Sequence, residues 1–191
     1  MNLPLIFIGS ALINNFVLTQ FLGMCPFFGV SKKTESAIGM GLSVMFVMTL
    51  ASVMTFIVNT FVLEPLGLEY LRTVAFILII ASIVQFVEVF MKKFFTALYT
   101  ALGVYLPLIT VNCAIFGVTL INIRSGYTFL EMLVNSLGAG AGFTLAMVLL
   151  AGIREKMDLN SDVPEIFKGF PLALFSAGLM SIAFMGFQGL I

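Results

Sequence analysis

The sequence predicts an all-α, polytopic integral membrane protein: six transmembrane helices in an inverted three-plus-three repeat whose first and fourth helices are broken. Hydrophobic residues make up 61% of the 191-residue chain and charged residues 9%. Soluble domains hold roughly 45–50% and about 25%, so a water-soluble fold would lack polar surface. The apolar residues gather into six runs, each near the roughly 20 residues that a helix needs to cross a bilayer. A hexapeptide pattern, C-x-x-F-G-V, occurs twice, at Cys25 to Val30 and at Cys113 to Val118, 88 residues apart.

The runs are 3–24, 38–62, 71–91, 95–121, 129–153 and 170–190, and six spans leave no room for a soluble domain. A single membrane domain, 1–191, follows, with repeat 1 at about 1–92 and repeat 2 at about 93–191. The start, Met1-Asn2-Leu3-Pro4, lacks the basic region of a signal peptide, so the first run is expected to be retained. Lys32 and Lys33 follow the first span, Lys92 and Lys93 the third, and Arg154, Lys156 and Lys168 the fifth, whereas the even-numbered loops hold Arg72 and Arg124. Seven basic residues against two put the odd loops in the cytoplasm and both termini outside. Because each half has three spans, the second half begins from the opposite face, which makes the repeat inverted.

The first and fourth runs carry asparagines, Asn14-Asn15 and Asn112, with proline and glycine close to each cysteine. Regular helices disfavour that chemistry, and broken backbone at membrane depth survives only where protein buries it or it lines a cavity. The breaks are therefore expected at the two cysteine stretches, converging near the midplane. The glycines of Gly39-Met40-Gly41 and Gly138-Ala139-Gly140-Ala141-Gly142 are read as helix-packing residues. Among span polar residues, Asn14, Asn15, Asn59, Asn112 and Gln85 are read chiefly as interhelical partners. Asn14, Asn15, Thr110 and Asn112 are also candidates for an ion path. Gly23, Gly29 and Gly117 are candidate hinges. Glu88 with Lys92, and Glu69 with Arg72, read as membrane-edge pairs, and Glu131 as a helix N-terminal residue. The loop 154–168, with Asp158, Asp162, Pro164 and Glu165, is a solvated connector or a docking surface.

Histidine is absent and the charges cancel, nine basic against nine acidic. This excludes His-based zinc, haem-imidazole and His-dependent triad chemistry on this chain, and gives no basic surface for nucleic acid. No phosphate loop or dinucleotide fingerprint occurs, so no flavin or nicotinamide site and no catalytic residue is expected here. The two cysteines leave three readings. They are small buried hydrophobes; or they pair as a disulfide, which requires α-carbons within about 7 Å; or they are ligands for a soft metal centre. Two thiolates are half of an all-cysteine iron–sulfur set, so the third reading needs a second protein to supply the rest.

The segments Asn14 to Leu18, Phe21 to Lys33, Leu106 to Ala114, Ala151 to Glu155 and Ala177 to Ser181 closely resemble the RnfA family of membrane subunits. The NqrE and NqrD subunits of the sodium-pumping quinone reductase are related to it. The resemblance spans essentially the whole chain and is specific at both cysteine motifs. It implies a bacterial or archaeal inner-membrane subunit of a ferredoxin:NAD oxidoreductase, the Rnf complex, coupling electron transport to Na+ or H+ translocation. The isolated chain would not be catalytic. It implies an antiparallel pairing with the homologous RnfE subunit, each contributing two cysteines to one 2Fe–2S cluster, and assembly with RnfB, RnfC, RnfD and RnfG. The ligands by motif are Cys25 and Cys113. Reduction of such a cluster would add negative charge at low dielectric and favour cation entry. The alternatives are a stand-alone secondary transporter and an NqrE-type subunit. The transporter is disfavoured because no intramembrane charge pair is present to bind and couple a solute.

Overall fold

A computed structural model describes residues 3–67, 69–94, 112–159 and 169–189, and these are helical with no strand among them. In chain order, α1 (Leu3–Ile8) runs into a π-helical turn at Gly9–Ile13, followed by α2 (Phe16–Thr19), α3 (Met24–Val30) and α4 (Thr34–Val58). A second π-helical turn, Asn59–Leu63, leads to α5 (Glu64–Leu66) and α6 (Arg72–Phe94). Then come α7 (Cys113–Arg124), α8 (Phe129–Asp158) and α9 (Phe170–Met185). Among the described residues, three helical stretches are long and apolar enough to cross a membrane: Thr34–Leu63, Arg72–Val89 and Phe129–Asp158. Leu3–Ile13, Cys113–Arg124 and Phe170–Met185 are shorter apolar helices. Among the described residues, an apolar helical element overlaps each of the six predicted runs. Most of the fourth run, 95–111, lies outside the described residues, as do Thr110 and the loop residues Asp162, Pro164, Glu165 and Lys168.

The long helices α4 and α8 pack along each other and form the centre of the molecule. Their contact is possible because side chains are missing where the axes are closest. A β-carbon on Gly140 would lie 2.5 Å from Met45 Cγ, and one on Gly41 would lie 2.6 Å from Thr144 Cγ2. Gly138 and Gly142 clear a different neighbour: a β-carbon on Gly142 would lie 2.6 Å from the Ala11 carbonyl oxygen. One helix therefore receives α4 on one side and the first broken helix on another. In lipid, where apolar burial between helices gains little over contact with acyl chains, such close approach is the main source of association. Gly39 departs from the packing expectation, since no atom lies within 4 Å of where its β-carbon would be.

Around this pair the core is built from Phe16, Val17, Phe27, Met40, Val44, Met48, Ile115, Phe143 and Met147, all buried. α6 is attached by a single stripe, Phe76, Ile80 and Val84, while Val74, Ile77, Leu78, Phe86 and Val89 are exposed. Spacing of four residues along one helix line explains why three residues make a continuous seam. Gln85 lies on the exposed part of α6. Asn59 makes a local bond instead of the interhelical one expected, its Nδ2 donating to Glu64 Oε1 at 3.3 Å.

The two ends of the α4–α8 pair are closed by different contacts. At one end the Thr34 hydroxyl donates to Glu155 Oε2 at 2.7 Å, joining the start of α4 to the end of α8. At the other, Phe56 of α4 meets Phe129 of α8 with ring centroids 5.7 Å apart. Glu131 belongs to this second end and has a definite role. Its carboxylate accepts from the Thr128 backbone N–H at 3.1 Å and hydroxyl at 2.9 Å, completing a capping box at the start of α8.

Candidate metal centre

The first apolar run is broken twice. Asn14 ends the π-helical turn, and Asn15 starts α2 as its N-cap, with Oδ1 accepting from Val17 N–H at 3.2 Å. α2 lasts one turn. Phe21 then takes φ +56 and Gly23 takes φ +83, left-handed backbone that costs an L-residue about 1–2 kcal/mol and that turns the chain into α3. The freed polar groups find partners across the molecule. Asn15 Nδ2 donates to the Gly142 carbonyl at 2.9 Å, and the Ser181 hydroxyl of α9 donates to the Leu18 carbonyl. The break is thus held by α8 and α9, which satisfy groups that no helix ladder reaches.

α3 and α7 start on the two cysteine motifs. Gly23 is the N-cap residue of α3, so Cys25 is the second helical residue and Pro26 the third, where a missing backbone N–H disturbs no intrahelical bond. Asn112 is the N-cap of α7, its Oδ1 accepting from Ala114 N–H at 3.0 Å, and Cys113 is the first helical residue. The breaks therefore lie just ahead of the C-x-x-F-G-V hexapeptides, which are themselves helical. That corrects their expected placement within the motifs. Gly29 and Gly117 accordingly sit inside helices α3 and α7, and only Gly23 has the backbone of a bend. Gly117 makes room for Leu22, whose Cδ1 would lie 2.6 Å from a β-carbon there.

The two starts meet. The Gly23 backbone N–H donates to Cys113 Sγ at 3.0 Å, and a β-carbon on Gly23 would lie 3.0 Å from Ala114 Cβ and 3.6 Å from Asn112 Oδ1. The starts of α3 and α7 thus share one junction. Cys25 is exposed and Cys113 partly buried, both as free thiols. Asn112 is 4% exposed, and its Nδ2 has no hydrogen-bond partner among the described residues. Among the described residues no three His, Cys, Asp or Glu side chains gather as a metal set.

Three features of the surroundings escaped sequence reasoning. Arg154, at the end of α8, donates from Nη1 to the Phe28 carbonyl at 3.0 Å and to Ser31 Oγ at 2.9 Å, so it caps the far end of the Cys25 helix. A buried network joins three helices: Asn122 Nδ2 donates to Ser136 Oγ at 3.0 Å, Asn135 Nδ2 to Asn122 Oδ1 at 2.6 Å, and Ser136 Oγ to Ser52 Oγ at 2.9 Å. The signal available for it was the presence of Asn122 and Asn135 within apolar segments. A cavity of about 320 Å³ opens beside the first break, lined by Ser10, Asn14, Gln20, Tyr127 and Asn135 among others. Of the residues proposed for an ion path, Asn14 lines this cavity and Asn112 sits at the cysteine junction.

The family model described as "Rnf-Nqr subunit, membrane protein" matches residues 3–191. The chain belongs to the Rnf-Nqr subunit family. Its relatives in that family include a subunit of the Na(+)-translocating ferredoxin:NAD(+) oxidoreductase complex of Acetobacterium woodii, 58% identical over 100% of this chain and 98% of the relative. A subunit of the ion-translocating oxidoreductase complex of Serratia proteamaculans is 58% identical over 98% of this chain and 96% of the relative. Its counterpart from Photorhabdus laumondii is 57% identical over the same shares. These relatives bear out the resemblance to RnfA. Rnf-Nqr membership and the long apolar helices together make this a multi-pass membrane protein.

Proposed function

We propose that the chain is a membrane subunit of an ion-translocating ferredoxin:NAD oxidoreductase, in which Cys25 and Cys113 supply half the ligands of a 2Fe–2S cluster. The other half comes from a homologous RnfE-like subunit lying antiparallel to it, with RnfB, RnfC, RnfD and RnfG-like subunits completing the complex. The six elements are read as an inverted repeat with both termini outside. The observation that carries the reading is the Gly23 N–H bond to Cys113 Sγ. It brings the start of the Cys25 helix to the start of the Cys113 helix, with a backbone donor on a sulfur, which is how iron–sulfur sites are commonly stabilised. The names of the relatives support the redox and ion-translocating context.

The junction fits such a group. Two thiols at the first turns of two helices lie where backbone N–H groups lack helical partners and favour negative charge. When bound, the cluster supplies a one-electron site within a hydrocarbon core of roughly 30 Å. The residues of this chain hold and shield it. Gly23 and Asn112 fix the approach of the two helix starts, Arg154 anchors the far end of α3, and Asn15 and Ser181 keep the break closed on the α8 and α9 side. Cys25 remains exposed on this chain, as a ligand shared with a second protein must be. The ion transported is Na+ or H+, and Asn14 in its open cavity is the candidate contact on this chain.

The test is iron quantification with electron paramagnetic resonance on the chain co-expressed with its homologous partner, as wild type, Cys25→Ala and Cys113→Ala. An iron–sulfur signal that vanishes in each variant while the pair still assembles is the expected result. Iron absent from assembled wild type, or unaffected by both substitutions, would return the cysteines to packing residues.

A further inference from the structure

We infer that the cavity beside the first break binds a monovalent cation, Na+ and not a proton, through neutral oxygens of Ser10, Asn14 and Asn135. For the identity of the ion the inference rests on the ion-translocating reading above; for the site it rests on the cavity. That cavity, about 320 Å³, lies where two helices end. The apolar helix Leu3–Ile13 stops at Asn14 and α7 stops at Ser125, and residues from both ends line it. The last carbonyls of a helix have no partner within it and carry the negative end of its dipole, so both ends favour a cation. The first of them is a π-helical turn, Gly9–Ile13, a form frequent at functional sites.

The side chains agree in sign with the backbone. The Ser10 hydroxyl donates its hydrogen to the Phe7 carbonyl at 3.1 Å, which leaves its lone pairs to other partners. Ser10 is held against α8, since a β-carbon on Gly138 would collide with its Oγ, and Gly138 stands one turn from Asn135 on the same face. Asn135 lines the cavity. Its Nδ2 is engaged on Asn122 Oδ1 at 2.6 Å, so its free polar atom is Oδ1, which is not among the described side-chain atoms sealed from solvent without a partner. Behind it Asn122 donates to Ser136, and Ser136 to Ser52. Every donor in that chain points away from the cavity. Such a chain polarises its members cooperatively and puts its negative end, Asn135 Oδ1, at the cavity wall. Polar groups are expensive at membrane depth, and this gives the buried network a function. Asn14 is exposed and adds a third oxygen at the end of the π-helical turn.

The lining also selects the ion. No Asp, Glu, Lys or Arg is among the lining residues, and the chain has no histidine. A relayed proton needs a carboxylate, amine or imidazole to rest on, and divalent ions are usually held by carboxylates. Neutral oxygens alone suit a monovalent ion that sheds part of its water.

The experiment is 23Na line broadening in nuclear magnetic resonance, with thermal unfolding, on the whole complex in detergent. NaCl is titrated against choline chloride at constant ionic strength. Wild type should show saturable broadening and a rise in Tm with Na+ that choline does not produce. Asn135→Ala should need at least tenfold more Na+ for half of either effect, at wild-type iron content. Asn14→Ala, at an exposed position, should do the same, and it decides the matter where Asn135→Ala fails to assemble. Wild type without a saturable response, which would make this a water-filled pocket, or variants with the wild-type response, overturns the inference. Saturable, variant-sensitive Na+ binding in a complex that moves no ion would instead sustain the site and reject the ion-translocating reading.

Discussion

Gly23 and Gly126 provide a matched pair of substitutions that separates backbone strain from crowding at the cysteine junction. Both glycines have left-handed backbone, at φ +83 and φ +62, so alanine at either costs about 1–2 kcal/mol for conformation alone. Gly126 has no atom within 4 Å of a new β-carbon, and its cost stops there. At Gly23 the β-carbon would lie 3.0 Å from both Ala114 Cβ and Phe143 Cε2, against about 3.5–4.0 Å for carbons in comfortable contact. Both neighbours are fully buried, so neither yields cheaply, and overpacking adds about 1–3 kcal/mol. Gly23→Ala should therefore destabilise by about 2–5 kcal/mol, and Gly126→Ala by about 1–2. Relief of the clash moves Ala114, and with it Cys113, away from the Gly23 N–H. Measured on the purified complex, Gly23→Ala should lower both the apparent Tm and the iron content, whereas Gly126→Ala should lower the Tm slightly and leave iron unchanged. A Gly23→Ala complex with full iron and the Tm of Gly126→Ala would refute the argument that close approach at this bend builds the site.

Two further predictions concern the residues that hold the junction from outside. Arg154→Met removes charge-assisted bonds to the Phe28 carbonyl and Ser31, a loss of about 1.5–3 kcal/mol from the anchoring of α3. Iron should then be lost to an added chelator several-fold faster than from wild type, and equal rates would show that α3 needs no such anchor. Asn122→Ala removes the central member of the network between α4, α7 and α8. Polar contacts within membranes average about 0.6 kcal/mol, with values to about 1.7, so a small drop in Tm with unaltered cluster spectra is expected. A changed cluster spectrum in Asn122→Ala would show that the network reaches the metal centre.

Much of the architecture was legible because membrane burial imposes a strict rule on sequence. Any chain in lipid must satisfy its backbone internally, so apolar runs become helices and the places where a run admits Asn, Pro and Gly become breaks. Asn14-Asn15 and Asn112 marked such places, and the structure puts an N-cap at Asn15 and at Asn112. What misled was the position of the break relative to the motif. Pro26 and Gly29 look like helix breakers in the sequence, yet proline is tolerated in a first turn and glycine is only a weak obstacle inside a packed helix. The Thr128-x-x-Glu131 capping box was legible but was read only as a charge near a helix end. The role of Arg154 could not be read at all, since its partners are a carbonyl and a hydroxyl more than 120 residues away.

By itself the sequence determined that this is a helical membrane protein, which loops carry charge, and that one C-x-x-F-G-V pattern occurs twice. These are local properties, decided by composition and by the cost of exposing polar backbone to lipid. Tertiary structure alone decided that the two motifs meet, through a glycine whose missing β-carbon and left-handed backbone let its N–H reach a sulfur 90 residues further along the chain. That contact depends on the packing of α8 against both α4 and the broken first helix. No residue in either hexapeptide encodes such packing, because close approach is a property of surfaces that exist only after the helices have assembled.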